Sequence, residues 1–298
     1  MTTDPDPSSR PPLDPALAVR GVRAALQAVT GHDLDSRVEV VGRTASTSSD
    51  LVRAVSADPA GWPHLSVLVA DHQAAGRGRA GRSWDTPAGV ALTVSVLLRP
   101  REVPVERFGW VPLLAGLAVV RAVEQTTGLR PGLKWPNDVL AESVDGVVLP
   151  GWGTRRKLAG VLGDLVVTDD GPAVVVGIGV NVSQSADELP VPSATSLAQV
   201  APRVPTREAL LGSLVGHLAR VVVPWQEARG DAVAAGLAER CAAICTTLGE
   251  PVRVELPGGD VLDGTASGIA ADGALEVTEA SGRVRTVHAG DVRHVRVN

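Results

Sequence analysis

The chain has very few aromatic residues. Among its 298 residues are six tryptophans, one phenylalanine and no tyrosine, about 2% in total. The hydrophobic core must therefore consist mainly of valine, leucine and alanine, and each tryptophan requires a specific explanation. A hydrophobic content of 44% is ample for a sizeable core, and the length suits one large domain plus a small one. These values exclude a disordered chain.

Long hydrophobic runs are also absent. The run from Leu113 to Val120 is far shorter than the roughly eighteen residues needed to cross a bilayer, so no transmembrane helix is expected. The polar, proline-rich N-terminus lacks the basic start and apolar core of a secretory signal, so a cytoplasmic location is expected. Cysteine is scarce too: Cys241 and Cys245 have no histidine or acidic cluster beside them, and we interpret both as buried free thiols.

Basic charge is concentrated in one segment of a chain whose formal net charge is −5. Residues 76–82, GRGRAGR, contain three arginines and three glycines, and we name them the arginine loop. Glycine permits turns that aim backbone N–H groups at one point, and arginine adds paired donors, so this loop is suited to a carboxylate or phosphate. The alternatives are a solvated surface loop or an RNA-binding segment, although the latter would favour repeats and a basic domain.

The spacing of Gly76, Gly78 and Gly81 also fits the G-x-G-x-x-G pattern of dinucleotide-binding proteins and kinases. The following residues argue against a dinucleotide site, because residues 83–89 contain proline and glycine and residues 90–98 are predicted to form a strand, not a helix. The chain has neither an H-R-D nor a D-F-G motif, which excludes a protein kinase.

The hydrophobic pattern predicts a catalytic domain over residues 15–247, between a disordered tail (residues 1–14) and a small antiparallel β-barrel (residues 248–298). Helices are predicted over residues 15–29, after 46–50, over 109–127 and twice within 206–246, the last two separated by Trp225 and Gln226. Strands are predicted over residues 37–42, 65–70, 90–98 and 172–182. The single helix before the first strand leaves no room for a DNA-reading module.

Two further segments place polar side chains between apolar stretches. Residues 133–140, LKWPNDVL, hold a cation, an indole, an amide and a carboxylate side by side, and the proline forces an extended or turned backbone. The alternative is a hairpin turn with a core tryptophan. After a glycine-rich insertion, residues 141–155, the strand that begins at Lys157 carries Gly160 and Gly163, which allow close approach of a ligand or a neighbouring backbone.

The order of these motifs resembles biotin protein ligase: a Ser-Thr pair at 46–47, Gln73 with GRGRAGRSW, then KWPNDVL, KLAGVL and GIGVNV. The resemblance covers about residues 38–298 and is strongest to the monofunctional form, which lacks the DNA-binding domain of the repressor-ligases. It implies an α+β fold, with a mixed or antiparallel sheet and flanking helices of the class II synthetase-like biotin/lipoate ligase type, and an SH3-like C-terminal barrel.

The resemblance also implies a reaction. Biotin is joined to AMP from ATP with the help of Mg²⁺, and is then passed to one lysine of the biotin carboxyl carrier domain of a carboxylase. Neither DNA nor a membrane is expected as a partner, and the oligomeric state is left open between a monomer and a weak homodimer.

Site residues follow from the same resemblance, in overlapping groups. The catalytic candidates are Arg77, Lys157 and Asp138. The biotin-binding candidates are Ser46, Thr47, Ser48, Gln73, Arg77, Gly78, Arg79, Lys157 and Gly160. The nucleotide-binding candidates are Arg79, Arg82, Trp84, Lys134, Asn137, Lys157 and Asn181. Cations are needed to bring two anions together, and Asp138 would accept a proton from the attacking amine unless it only holds Lys134 or a backbone turn. Metal ligands are not assigned.

Other functions remain open at this point. Lipoate ligases and octanoyl transferases of the same architecture are the nearest enzymatic alternatives, although the arginine loop and KWPND favour biotin. A non-enzymatic ligand sensor or RNA-binding protein is the alternative from another class. The arginine loop is expected to be mobile when empty and ordered over the adenylate, because water destroys a mixed anhydride. The insertion is longer than expected for the family, and its role is left open.

Overall fold

The computed structural model describes residues 10–256, 259–288 and 291–294. The helices within these ranges are α1 Pro15–Thr30, α2 Thr47–Ala57, α3 Trp110–Thr127, α4 Leu197–Val200, α5 Arg207–Glu227 and α6 Leu237–Ala242. The strands of a large sheet are β1 Val38–Thr44, β2 Val67–Gln73, β5 Ala91–Leu98, β6 Gly132–Lys134, β7 Asp138–Glu142, β8 Arg155–Thr168 and β9 Gly171–Asn181. A short hairpin is formed by β3 Gly76–Arg77 and β4 Ser83–Trp84. The C-terminal strands are β10 Pro251–Glu255, β11 Val261–Ile269, β12 Leu275–Thr278, β13 Val284–Val287 and β14 Asp291–His294.

The large sheet is mixed, as predicted, with the strand order β1-β2-β5-β9-β8-β7-β6. β1 and β2 are parallel, and the other neighbours are antiparallel. Every residue of β5 is buried, because helices cover both faces of the sheet. Leu92 and Val94 belong to the larger core under α1, α3 and α5, whereas Leu97 packs in a smaller core with Leu51 and Val55 of α2.

The helix boundaries follow local capping chemistry. Asp14 accepts hydrogen bonds from the first backbone N–H groups of α1, and that helix ends at Gly31, whose φ of +77° is left-handed. Ser46 caps α2 in the predicted position. The predicted helices over 15–29 and 109–127 and the predicted strands are confirmed to within a few residues. Within the described ranges, no helix has the length and hydropathy needed to cross a membrane.

The predicted boundary between the last two helices is wrong. Trp225 and Gln226 lie inside the last turn of α5, because the indole is fully buried and the apolar face of the helix continues through it. The following helix, α6, is short, and Cys245 lies beyond its end. Both cysteines are free and buried, as predicted, and burial raises the pKa of the Cys241 thiol to about 12.

The predicted disordered tail is only partly within the described residues, since residues 1–9 lie outside them. For residues 10–14 the structure differs from the prediction. Arg10 forms a two-pronged hydrogen-bonded pair with Glu188, at 2.8 and 2.9 Å, and the backbone N–H of Leu13 donates to Asp71 at 2.8 Å. These contacts hold the segment against the folded chain.

The C-terminal strands form an antiparallel sheet with the order β13-β12-β11-β10-β14. The predicted antiparallel β-structure is confirmed; closure into a barrel and the domain boundary at residue 248 stay predictions, and residues 257–258, 289–290 and 295–298 lie outside the described ranges. Two buried tryptophans join this sheet to the rest of the chain. Nε1 of Trp110 donates to the carbonyl of Ala271 at 2.9 Å, and Nε1 of Trp135 donates to that of Gly273 at 3.0 Å.

Candidate functional site

A cavity of about 920 Å³ lies where α2 begins, beside the arginine loop, the β6–β7 turn and strands β8 and β9. Every residue predicted for the site lines it: Ser46, Thr47, Ser48, Gln73, Arg77, Gly78, Arg79, Arg82, Trp84, Lys134, Asn137, Asp138, Lys157, Gly160 and Asn181. The fold therefore brings together segments that are far apart in sequence. The role assigned to each residue stays a prediction.

A directed chain of hydrogen bonds runs along one wall of the cavity. The hydroxyl of Ser95 donates to Oγ1 of Thr47 at 2.8 Å, and Thr47 donates to Oε1 of Gln73 both from its hydroxyl, at 2.9 Å, and from its backbone N–H, at 2.7 Å. Because the Ser95 proton is already used, Ser48, 3.0 Å away, is the donor to Ser95. All four side chains are buried. Their hydrogen bonds fix the side-chain amide of Gln73 in one orientation, with its NH₂ group left as a donor.

The arginine loop folds as a hairpin. β3 and β4 pair Gly76 with Trp84, and the N–H of Gly78 donates to the carbonyl of Arg82 at 2.7 Å. A Cβ atom on Gly76 would lie 2.3 Å from the carbonyl oxygen of Trp84, so the hairpin requires glycine there. Arg77 extends to β8, where its guanidinium is 2.6 Å from the carboxylate of Asp164.

The hairpin places the Trp84 indole against the large sheet. The underlying residues are Gly160 on β8 and Gly179 on β9, which are paired across the two strands. A Cβ on Gly179 would lie 2.5 Å from Trp84 Cε2, and a Cβ on Gly160 would lie 3.4 Å from Cζ3. The sequence prediction included Gly160 but missed Gly179, although the alternating glycines of GIGVNV indicate a strand face without side chains.

The KWPND segment is the turn between β6 and β7, so the structural alternative of a hairpin with a core tryptophan also holds. Lys134 and Asp138 are opposite each other in that hairpin, and Asp138 forms an ion pair of 2.7 Å with Lys157. Asn137 accepts a hydrogen bond of 3.2 Å from Arg79 and donates one of 2.8 Å to the carbonyl of Val161. These contacts connect the hairpin to the arginine loop and to β8.

Positive charge dominates the cavity. Among the residues that the structure describes, six cationic side chains line it, against the two carboxylates of Asp85 and Asp138. Burial lowers the pKa of Lys134; Asp138 opposes this shift, whereas the charges of Lys157, Arg82 and Arg293 add to it. Burial is also the main cause that lowers the pKa of Arg79. Because a bound anion would offset this repulsion, the arrangement favours polyanionic ligands.

Asn181 lines the cavity, but its side chain is already engaged by the protein. Its amide nitrogen donates to the carbonyl of Thr195 at 2.9 Å, and its oxygen accepts from Nε2 of Gln184 at 2.9 Å. Asn181 therefore anchors the segment after β9, of which residues 190, 191, 193 and 194 also line the cavity. Its predicted contact with a nucleotide stays a prediction.

The sequence analysis missed several residues that line or support the cavity. Ser95 completes the hydrogen-bond chain from within an apolar strand, which carried no motif. Trp152 lies in the insertion and lines the cavity, with the ammonium of Lys134 4.5 Å from the centre of its ring. Arg293 reaches the cavity from the C-terminal sheet. Among residues 10–256, 259–288 and 291–294 no group of three or more histidine, cysteine, aspartate or glutamate side chains could hold a metal ion.

Comparison with protein families identifies both parts of the chain. The profile of the biotin/lipoate A/B protein ligase family matches residues 42–181, which contain every predicted site residue. The profile of the biotin protein ligase C-terminal domain matches residues 247–295.

Individual relatives extend this similarity over the whole length. The chain is 39% identical to the biotin–[acetyl-CoA-carboxylase] ligase of Mycobacterium tuberculosis over 292 residues, which cover 96% of this chain and 97% of that protein. It is 31% identical to the protein of the same name from Paracoccus denitrificans, over 82% of this chain and 95% of the relative. The biotin protein ligase of Aquifex aeolicus, solved with biotin and ATP, superposes with a TM-score of 0.68 and 26% identity, covering 87% of this chain and 99% of that one.

Proposed function

The chain belongs to the biotin protein ligase branch of the biotin/lipoate A/B protein ligase family, and on that premise we propose that it is an ATP-dependent biotin protein ligase. In the first half-reaction a carboxylate oxygen of biotin attacks the α-phosphorus of ATP, diphosphate leaves, and biotinyl-5′-AMP forms. In the second, a lysine of a biotin carboxyl carrier domain attacks the biotinyl carbonyl and AMP leaves. The observation that carries the proposal is the cavity, where six cations and two carboxylates are found among the described lining residues.

Adenylation requires two anions to approach each other. Arg77, Arg79 and Lys157 are the cations that would neutralise the biotin carboxylate and the phosphates, because fixed charges in a partly dry site stabilise developing negative charge without reorganisation. The chain of hydrogen bonds that ends at Gln73 suits the polar ureido ring of biotin, since it presents oriented donors and acceptors on a rigid wall. Arg82, Trp84, Lys134 and Asn137 would lie on the nucleotide side.

Magnesium fits this site only as an ion that arrives with ATP. The cavity offers two carboxylates, Asp85 and Asp138, and Asp138 is already paired with Lys157. Magnesium bound to nucleotides needs only one or two protein carboxylates, because phosphate oxygens and water complete its octahedron. When bound, Mg²⁺ would neutralise charge on the departing diphosphate.

Transfer to the acceptor requires an unprotonated amine, whereas a free lysine has a pKa near 10.4. Asp138 is the carboxylate that would accept the proton of the attacking amine, and its 2.7 Å contact with Lys157 holds it at the cavity wall. We also propose that the partner is the carrier domain and that the protein acts in the cytoplasm. The proposed domains are residues 15–247 and 248–298.

The direct test supplies ATP, Mg²⁺ and either biotin or lipoate together with the carrier domain of an acetyl-CoA carboxylase, and follows the mass of that domain. We expect a gain equal to one biotinyl group and none from lipoate; the reverse result would favour the lipoate alternative.

Arg77→Ala and Lys157→Ala should keep the fold and reduce biotinyl-AMP formation by about 10²-fold or more. An unchanged yield of adenylate in both variants would reject these roles.

A further inference from the structure

The insertion between β7 and β8 exposes apolar side chains. We name residues 143–154 the insertion loop. Val144 is 76% exposed, Val147 50% and Val148 62%, so three valines within five residues face water. Single exposed apolar residues are ordinary, but a contiguous apolar patch beside a cavity marks a contact surface.

These valines lie on a backbone that is held in place. The guanidinium of Arg156, only 3% exposed, donates to the carbonyl of Val147 at 2.7 Å and to that of Gly153 at 3.2 Å. The backbone N–H of Leu149 also donates to the carbonyl of Gly153, at 2.8 Å. A buried arginine that serves the loop's own carbonyls gives the exposed valines a defined arrangement, which lowers the entropy lost when a partner binds.

The same loop forms part of the cavity. Pro150, Gly151 and Trp152, which directly follow the exposed valines, line it, and the Trp152 ring packs against the ammonium of Lys134. The insertion loop therefore has an inner part that faces the reacting groups and an outer apolar part beside it.

We propose that Val144, Val147 and Val148 form a docking surface for the lysine-bearing carrier domain. This inference rests on the proposed function, in which a folded protein must bring one lysine into the cavity. Such an acceptor has to contact the residues around the cavity, and the valines offer it exposed apolar side chains in the same short loop as Pro150, Gly151 and Trp152, which line the cavity. Apolar side chains at the centre of an interface contribute more to affinity than the polar rim does.

The test separates docking from chemistry. In the triple variant Val144→Ser, Val147→Ser, Val148→Ser, kcat/KM for the carrier domain of an acetyl-CoA carboxylase should fall about tenfold. Formation of biotinyl-AMP should stay within about twofold of the unmodified protein, as should its capture by hydroxylamine, a nucleophile too small to need a docking surface. The melting temperature should be unchanged, since the three side chains are exposed.

The matched control replaces three exposed valines outside the insertion loop, Val105, Val204 and Val233, which are 47%, 46% and 70% exposed. The control variant should keep the unmodified kcat/KM. Equal transfer rates in the two triple variants would overturn the proposal. So would a change in sedimentation showing that the valines bind a second copy of this chain. If the unmodified protein forms no biotinyl-AMP, the proposed function itself fails, which this design distinguishes from the loss of docking alone.

Discussion

At the scale of single residues, Asp138 is the side chain to which both a structural and a chemical role are assigned. It lies at the start of β7, opposite Lys134, and its carboxylate is 2.7 Å from the ammonium of Lys157. Asp138 is thus ion-paired with Lys157 and acts on the charge of Lys134, and among the described residues that line the cavity the other carboxylate is that of Asp85. A structural role in holding these cations and a chemical role in proton transfer are compatible, and only kinetics on the two half-reactions can separate them.

Asp138→Asn should slow transfer more than adenylation. The amide keeps the size of the side chain but cannot accept the proton of the attacking amine, so we expect transfer to fall by about 10²-fold. The measurement mixes preformed biotinyl-AMP with the carrier domain and follows its disappearance. As a control, Asp85→Asn removes the other carboxylate and should change the transfer rate much less. Equal losses in adenylation and transfer for Asp138→Asn would indicate a purely structural role.

His64, a half-buried residue, shows how a histidine responds to its surroundings. Its Nδ1 accepts a hydrogen bond of 3.0 Å from the backbone N–H of Arg99, so the neutral ring carries its proton on Nε2. Burial, helped by the charges of Arg99 and Arg101, lowers the pKa of His64 from 6.5 to about 4. The unfolded chain therefore binds a proton at a pH where the folded protein does not.

Stability should consequently decline as the pH falls. The contribution of His64 is complete above pH 6.5, and it decreases as the pH falls towards 4, by on the order of 3 kcal/mol in the free energy of unfolding. Urea denaturation at pH 7, 5.5 and 4.5 measures this slope. His64→Asn keeps an acceptor for the Arg99 N–H but does not titrate, so its slope should be flatter. A variant with the unmodified slope would show that other groups control the acid response.

At the scale of elements, the arginine loop depends on the sheet beneath it. The hairpin of β3 and β4 presents Trp84, and the paired glycines of β8 and β9 leave a flat surface on which the indole rests. The expected mobility of this loop in the empty protein stays a prediction. The packing nevertheless shows that the position of the loop depends on Gly160 of β8 and Gly179 of β9.

Gly179→Ala should impair adenylation without unfolding the protein. Its Cβ would lie 2.5 Å from Trp84 Cε2, so the indole and the hairpin must move, and we expect kcat/KM for biotinyl-AMP formation to fall by about tenfold or more. Gly163→Ala on β8 is the matched control, because its Cβ would meet only Val174 at an ordinary 3.6 Å. Diphosphate release measures both variants. Similar activity in the two would show that the resting place of Trp84 is unimportant.

At the scale of the whole molecule, the C-terminal sheet is docked onto the start of α3 and the β6–β7 turn. Trp110 and Trp135 donate to carbonyls in the turn between β11 and β12, and Gly109 and Gly273 approach each other closely. This docking explains why these two tryptophans are buried. It also brings Arg293 to the cavity, so the predicted C-terminal domain and the catalytic region contribute to one site.

Gly273→Ala should weaken the packing of the C-terminal sheet against the catalytic region. Gly273 has a φ of +91°, and its Cβ would lie 2.7 Å from the carbonyl carbon of Gly109. The backbone strain and the clash together should lower the free energy of unfolding by about 3 kcal/mol. Gly282→Ala is the control: its φ is +83° and nothing lies within 4 Å, so only the backbone strain of about 1 kcal/mol applies. Equal losses of unfolding free energy in urea denaturation would show that the close approach of Gly273 to Gly109 does not contribute to stability.

The sequence alone determined the features that depend on local chemistry. Capping by Ser46, the apolar run of β5 and the position of the arginine loop could be predicted, because each depends on residues that are neighbours along the chain. The resemblance to biotin protein ligase selected the residues that the fold gathers around one cavity.

Only the tertiary structure decided which distant groups meet. Ser95 joins the wall of the cavity because β5 lies beside β2, and Asp164 meets Arg77 because the hairpin reaches across to β8. The end of α5 likewise depends on the packing of the core. The contacts of Arg10 and of the insertion loop depend on partners in other elements, such as Glu188 for Arg10 and Lys134 for Trp152. Periodicity and propensity describe a segment by itself, whereas burial and side-chain pairing are properties of the assembled chain.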